Sequence, residues 1–322
     1  MSAQVFDTIY KIELPIPYPL KTTNVYFIDQ PPKTLVDTGL KTEASFAALK
    51  KGMENIGFNL KSIERILVTH GHIDHYGQAK RLSSLSDAPI YIHPKEYGRI
   101  RSILHILGFL KKVLLRNGVP EALANEAVRY IESAQKMADP LEEAFFLTDG
   151  DPIPFQSMTW RAIHCPGHSS GLICFHWPEK KILFTGDHIL KEVTPNPILD
   201  ILGARSPFRY PSLKDYLASL EKIEKLDLSL LLPGHGEEIG DAKGLIQKIF
   251  IHHRERMDLI LTFLSKGEKT PFEIAMDLFP GVPSFEVFLG ISEAIGHLEI
   301  LREKGMVRVM EKDRKDYYSL AT

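Results

Sequence analysis

The chain has 322 residues, enough for about two domains, and its 44% hydrophobic and 25% charged residues are the balance of a globular protein that buries its own core. The formal net charge is −2, so no global field draws it to nucleic acid or to an acidic membrane surface. Its two cysteines, Cys165 and Cys174, stand outside any metal-type spacing and exclude a disulfide framework, and no apolar run reaches the roughly 18 residues of a spanning helix.

The N-terminal stretch MSAQVFDTIYKIELPIPYP lacks a basic region followed by an apolar one, so a cytoplasmic chain is expected. Asn24–Ile28 and Thr34–Asp37 read as strands, and Thr38-Gly39 as a turn. Thr42–Ile56 has helical spacing, with Phe46, Leu49, Met53 and Ile56 on one stripe. Ile63–Thr69 reads as a buried strand, 78–86 as a helix and Ala88–Ile92 as another strand. Strands alternating with helices predict a layered α/β domain. Residues 95–145 turn helical, and Ile103, Leu104, Leu107, Leu110 and Leu114 form an apolar stripe. This insertion is expected to pack on the core, to cover an apolar substrate group, or to form a dimer face or a membrane-touching surface. Trp160–His164, Leu172–His176, Ile182–Thr185 and Leu228–Leu232 restore the strand pattern, with an amphipathic helix over Leu213–Leu226. Helices follow at Ile249–Leu264, Pro271–Leu278 and Ser284–Lys304. A hairpin then runs over Met306–Met310 and Tyr317–Leu320 around the charged tip Glu311–Asp316. Three helices and a hairpin are winged-helix order, and the domain boundary is placed near Gly240, dividing 1–240 from 241–322.

The densest signal is Thr69-His-Gly-His-Ile-Asp-His-Tyr-Gly77, at the end of a predicted strand. His70 and His72, two apart in extended backbone, point to the same side. Asp74 and His75 follow where the chain turns into a helix. Imidazole with carboxylate suits zinc, iron or manganese. A lone histidine in a turn is usually just solvated; four ligand-type residues in six positions are not explained that way. Three later turns, each after a predicted strand, offer His168 (Cys165-Pro-Gly-His-Ser169), Asp187 (Phe184-Thr-Gly-Asp-His188) and His235 (Leu232-Pro-Gly-His-Gly236). Each is weak alone. Together they sit where a layered α/β fold gathers its strand ends.

In this order the motifs resemble the metallo-β-lactamase superfamily over residues 10–240. The resemblance implies a four-layer αββα sandwich with two divalent metal ions at one edge. Matched by position, His70, His72 and His168 would hold the first ion, and Asp74, His75 and His235 the second. Asp187 would bridge them, and Asp37 in Leu-Val-Asp-Thr-Gly would support them from behind. Asp74 would also act catalytically, orienting the attacking water and moving its proton. The ligand set is similar to that of glyoxalase II and its thioesterase relatives, without the basic C-terminal segment that grips glutathione. The C-terminus is similar to the winged-helix tail of lactamase-B-like hydrolases. His188 is expected beside the site without touching it. His93, His105, His164, His176, His252, His253 and His297 are expected to be surface or core residues.

Paired metals lower the pKa of water from 15.7 to roughly 7 and polarise a carbonyl or phosphoryl oxygen. The expected function is hydrolysis of a small-molecule ester or thioester, zinc being the default metal. The alternatives are cleavage of single-stranded RNA or another phosphodiester, and lactone hydrolysis. From Asp241 to Thr322 there are 12 Lys plus Arg against 13 Asp plus Glu, a net of −1. A tail that grips nucleic acid needs a basic face. The tail is therefore expected to pack beside the site or to form a homodimer contact.

Overall fold

The computed structural model describes residues 2–199, 212–281 and 286–321, with the side chains of 102–106 left aside. Ile103, Leu104, His105 and the expected helix start at Ser284 therefore lie outside the described residues. The first half runs β1 (Ser2–Phe6), β2 (Ile9–Pro15), β3 (Thr22–Ile28), β4 (Thr34–Val36), α1 (Glu43–Asn55), β5 (Arg65–Leu67), α2 (Ile73–Tyr76), α3 (Ala79–Ser86), β6 (Ile90–Ile92), α4 (Pro94–Arg116), α5 (Glu121–Ala134) and β7 (Phe145–Phe146). Its strands form one 7-stranded sheet in chain order, antiparallel from β1 to β4 and parallel from β4 to β7. The second half runs β8 (Pro152–Pro154), β9 (Thr159–His164), β10 (Ile173–Trp177), β11 (Ile182–Gly186), α6 (Ser212–Glu224) and β12 (Leu230–Pro233). These strands form a 5-stranded sheet, β12-β11-β10-β9-β8, in which only β11 and β12 are parallel.

The alternation of side chains along each strand builds the layers. In β3, Val25 and Phe27 face the core under α1 and α3, while Tyr26 and Ile28 face the second sheet. In β11, Ile182 and Phe184 face the first sheet, and Leu183 faces the core under α6. Both sheets are thus apolar on both faces, and the order is helix, sheet, sheet, helix. The core between the sheets centres on Trp160, stacked on Phe184 with ring centroids 4.8 Å apart. Thr42 caps α1 by accepting from Ser45 N–H, which is why the helix begins where the apolar stripe does.

The chain ends in α7 (Ala242–Leu264), α8 (Pro271–Leu278), α9 (Val287–Glu303) and the antiparallel pair β13 (Val307–Lys312) and β14 (Lys315–Leu320). The hairpin pairs as far as Lys312 and Lys315, a longer ladder than the charge run suggested. Asp313 and Arg314, at φ 50° and 63°, make the two-residue turn that fits strand twist. α7 starts at Ala242 rather than Ile249, because the Asp241 side chain caps it on Gly244 N–H. It crosses two cores: Ile246 and Ile249 pack under the second sheet, while Ile260 and Leu264 pack with α8, α9, α4 and α5. Leu107, Leu110, Val113 and Leu114 of α4 lie in that last core, so the helical insertion and the C-terminal helices share one apolar interior. Among the described residues no helix is long and apolar enough to cross a membrane.

Candidate metal centre

Parallel pairing of β4 with β5, and of β11 with β12, places four strand ends on one edge of the sandwich. Asp37 follows β4, His70 and His72 follow β5, Asp187 follows β11 and His235 follows β12. His168 stands in the loop between β9 and β10. Asp74 and His75 sit in α2, directly after His72. All seven residues singled out in the sequence meet here. They fall into two groups, His70, His72, His168 and Asp187 in one and Asp74, His75 and His235 in the other, with donor atoms within 4.8 Å of one another in each.

Within the first group, His70 Nε2 and His168 Nε2 each lie 2.9 Å from His72 Nδ1, and Asp187 Oδ2 is 3.6 Å from His168 Nε2. Within the second, His235 Nε2 is 3.4 Å and His75 Nε2 3.8 Å from Asp74 Oδ2. Asp187 reaches both groups, with Oδ2 at 3.3 Å from His235 Nε2 and Oδ1 at 3.4 Å from His75 Nε2. Zinc bonds of ~2.0–2.2 Å in a tetrahedron set donors roughly 3.3 Å apart.

The outer nitrogens decide what the inner ones offer. His168 Nδ1 donates to Asn196 C=O (2.9 Å), His235 Nδ1 to Thr22 C=O (2.7 Å) and His75 Nδ1 to Asp37 Oδ2 (2.8 Å). His70 Nδ1 lies 3.1 Å from Thr69 Oγ1, whose own proton goes to Asp37. In each neutral ring the inward Nε2 is then a lone pair. One Nδ1 on His72 cannot satisfy two such neighbours, and His75 Nε2 and Asp187 Oδ1 are buried with no hydrogen-bond partner. Imidazole nitrogens and carboxylates converging in this way are the donor set of a cation, and the residues present fit divalent metal ions.

The family model of the metallo-beta-lactamase superfamily matches residues 18–235. This chain belongs to that superfamily. As a member it is a metal-dependent hydrolase. It is 29% identical over 298 residues to the probable metallo-hydrolase YqjP of Bacillus subtilis, covering 92% of each chain. Among solved structures it is similar to the metallo-beta-lactamase family protein TTHA1429 of Thermus thermophilus. That pair shares a TM-score of 0.87 and 29% identity, over 98% of this chain and 100% of the other. A beta-lactamase domain protein from Burkholderia ambifaria shares the fold, with a TM-score of 0.85 at 22% identity over 99% and 94% of the two chains.

The electrostatics of this superfamily site divide by group. Burial holds the pKa of His70, His72 and His168 below that of a free imidazole. Burial opposes charge on His75 and His235 too, but the neighbouring carboxylates, Asp187 first, outweigh it and raise both, His235 to about 10. The field that would hold a proton there also favours a divalent cation. Asp37 pays for its position with a left-handed backbone (φ 60°), fixed by Thr69 N–H at 2.8 Å and by His75. Gly234 leaves no room for a side chain: a Cβ would stand 2.4 Å from Asp187 Oδ1 and 2.7 Å from His75 Cε1.

Several contributors carry no sequence signal. The carbonyls of Thr22 and Asn196 belong to no motif, and neither does Thr23, which donates to Asp74 Oδ2 at 3.2 Å. His188 is fully buried against the Tyr216 ring, 5.2 Å away, and belongs to neither donor group. His93 and His164 stack on each other at 4.4 Å. Tyr76 and both cysteines are buried in the core. His253, His297 and Glu293 make a separate buried cluster between α7 and α9. There His297 Nδ1 donates to Glu293 C=O (2.7 Å) and its Nε2 lies 3.1 Å from His253 Nδ1.

Proposed function

We propose that the chain binds two divalent ions and hydrolyses a small-molecule ester or thioester. His70, His72 and His168 hold one ion, Asp74, His75 and His235 the other, and Asp187 serves both. Zinc is the default, and iron or manganese suits the same donors. The observation that carries this reading is that four of the five imidazoles have a partner for the outer nitrogen's proton, so that each neutral ring turns its Nε2 lone pair inward. Bound ions of this kind supply a water-derived nucleophile at neutral pH and an electrophile for the substrate oxygen.

The side chains divide the remaining work. Thr23 fixes Asp74 through Oδ2, which leaves Oδ1 to accept the proton of the attacking water. Asp37 orients His75 and ties it to the β5 end through Thr69. The mouth favours an apolar group. Burial raises the pKa of Tyr18, and so do nearby Tyr130 of α5 and Asp74, which supports a helical insertion close to the site. Leu289 at the start of α9 is exposed, and its carbonyl accepts from Asn196, the residue that holds His168. Residues 95–145 then serve as a cover over an acyl chain. Residues 241–322 form a winged-helix-like unit that supports this cover beside a catalytic domain of residues 1–240.

The test is thiol release from acyl thioesters of graded chain length, before and after chelation and zinc re-addition. Release that stops on chelation, returns with zinc and prefers one chain length is expected. Metal-dependent turnover confined to lactones, phosphodiesters or single-stranded RNA would replace the substrate assignment. A chain that binds no metal would overturn the reading entirely.

A further inference from the structure

The first turn of α4 carries a carboxylate that the proposed chemistry does not use. Glu96 is fully buried. Its Oε2 accepts the Gly71 N–H at 2.8 Å, and its Oε1 accepts the Gly171 N–H at 2.6 Å. Gly71 stands between His70 and His72. Gly171 closes the loop that carries His168. The two loops leave different sheets, one after β5 and the other after β9, and a backbone hydrogen bond from Ile173 N–H to Thr69 C=O (2.9 Å) joins them at their bases, away from the glycines that Glu96 holds.

Both approaches depend on the absence of a side chain. A Cβ on Gly71 would stand 2.7 Å from Glu96 Oε2, and one on Gly171 would stand 2.9 Å from Oε1 and 2.7 Å from His93 Nδ1. Burying a carboxylate is costly unless its oxygens are paired. Here two charge-assisted bonds to backbone N–H groups, with the Arg99 guanidinium at 3.6 Å, offset that cost. His93 accepts from Lys95 N–H and caps the same helix turn, so the carboxylate is held from a rigid element.

We propose that Glu96 is a positioning residue for the His70–His72–His168 group. One carboxylate clamps the two loops at the spacing at which the three nitrogens meet. This rests on the reading that those imidazoles hold one ion. Through α4, whose far half packs with the C-terminal helices, the clamp also ties that site to the tail of the chain.

The test is Glu96→Gln, which keeps shape and size. Whichever way the amide turns, its NH2 faces a backbone N–H and one of the two bonds is lost. Zinc is titrated into wild type, Glu96→Gln and His168→Ala, with thermal unfolding of each zinc-free protein alongside. In Glu96→Gln one zinc should weaken by about 10–100-fold, the loss usual for an outer-shell partner, while the other zinc stays. Turnover should recover when free zinc is raised by the same factor. Two zincs bound as tightly as in wild type, with one lost in His168→Ala, would overturn the clamp alone. Two zincs kept in His168→Ala would overturn the ligand reading instead. A lower unfolding temperature with no difference between the two sites would mark Glu96 as merely structural and also overturn the proposal. If Glu96→Gln does not fold, Glu96→Asp keeps the charge and withdraws it by one methylene. It should show the same selective weakening, and unchanged zinc affinity in it counts against the clamp.

Discussion

The imidazole of His168 is held from behind by one backbone carbonyl, and its inner nitrogen faces Nδ1 of His72 and an oxygen of Asp187. Truncating it removes a proposed metal donor and relieves crowding among closely set polar groups, so the fold has little to lose. His168→Ala should therefore bind one zinc fewer per chain and lose nearly all turnover, with unfolding of the zinc-free protein close to that of wild type. Elemental analysis and calorimetry check both halves; full zinc content with full turnover would mean His168 is no ligand. At this scale the candidate ligands were legible because four of them lie within six positions and the other three each follow a strand. The residues that aim them were not. Thr22 and Asn196 act through main-chain carbonyls, which any residue type supplies, and Glu96 reaches the loops of His72 and His168 from a helix more than twenty positions away from either in the chain.

Elements were legible wherever an apolar stripe coincided with a cap. Pro271–Leu278 stands where its Thr270 cap and helical spacing put it, whereas the Asp241 cap lengthened α7 beyond its stripe. The hairpin β1–β2 and the short strands β7 and β8 were not read, because partly exposed or two- to three-residue segments carry no clear period. What two helices do to each other's side chains is harder still to see. Glu293 of α9 is buried beside His253 and His297, and burial raises its pKa from 4.5 to about 7, against the nearby Arg256 guanidinium. An acid that holds its proton more tightly when folded favours the folded state at low pH, and that contribution is lost as pH climbs from about 4.5 through about 7. His253 and His297, lowered by burial, act in the opposite sense as pH falls, and the Tyr216 ring covers His253. The comparison is therefore made against Glu293→Gln, which keeps the histidines. Between pH 5 and pH 8 wild type should lose about 2.5 kcal/mol of stability relative to the variant. Denaturant unfolding at the two pH values measures this, and parallel pH profiles would show that Glu293 does not titrate in that window.

Across the whole molecule the sandwich and the helical tail share their interiors. α7 contributes Ile246 and Ile249 to the core under the second sheet. Its other end joins α8 and α9 in a core that also takes Leu107, Leu110, Val113 and Leu114 of α4 and Ala124 and Ala127 of α5. A chain cut after Gly240 would leave both surfaces open. Each buried Leu or Ile side chain of this kind is worth about 1.5–3 kcal/mol, against a total stability of roughly 5–15 kcal/mol for a typical domain. The order of elements was readable from the sequence; this sharing was not, because periodicity says which face of a helix is apolar and not which partner covers it. Residues 1–240, expressed alone, should be insoluble or aggregated, although every proposed metal donor is present. Solubility, size-exclusion chromatography and zinc content test this together. A monodisperse fragment that holds two zincs would mean that the sandwich closes its own core and that α4 and α5 find other cover. Failure of the fragment, rescued by co-expression of residues 241–322, would place the tail's contribution in the two shared cores and not in chain continuity.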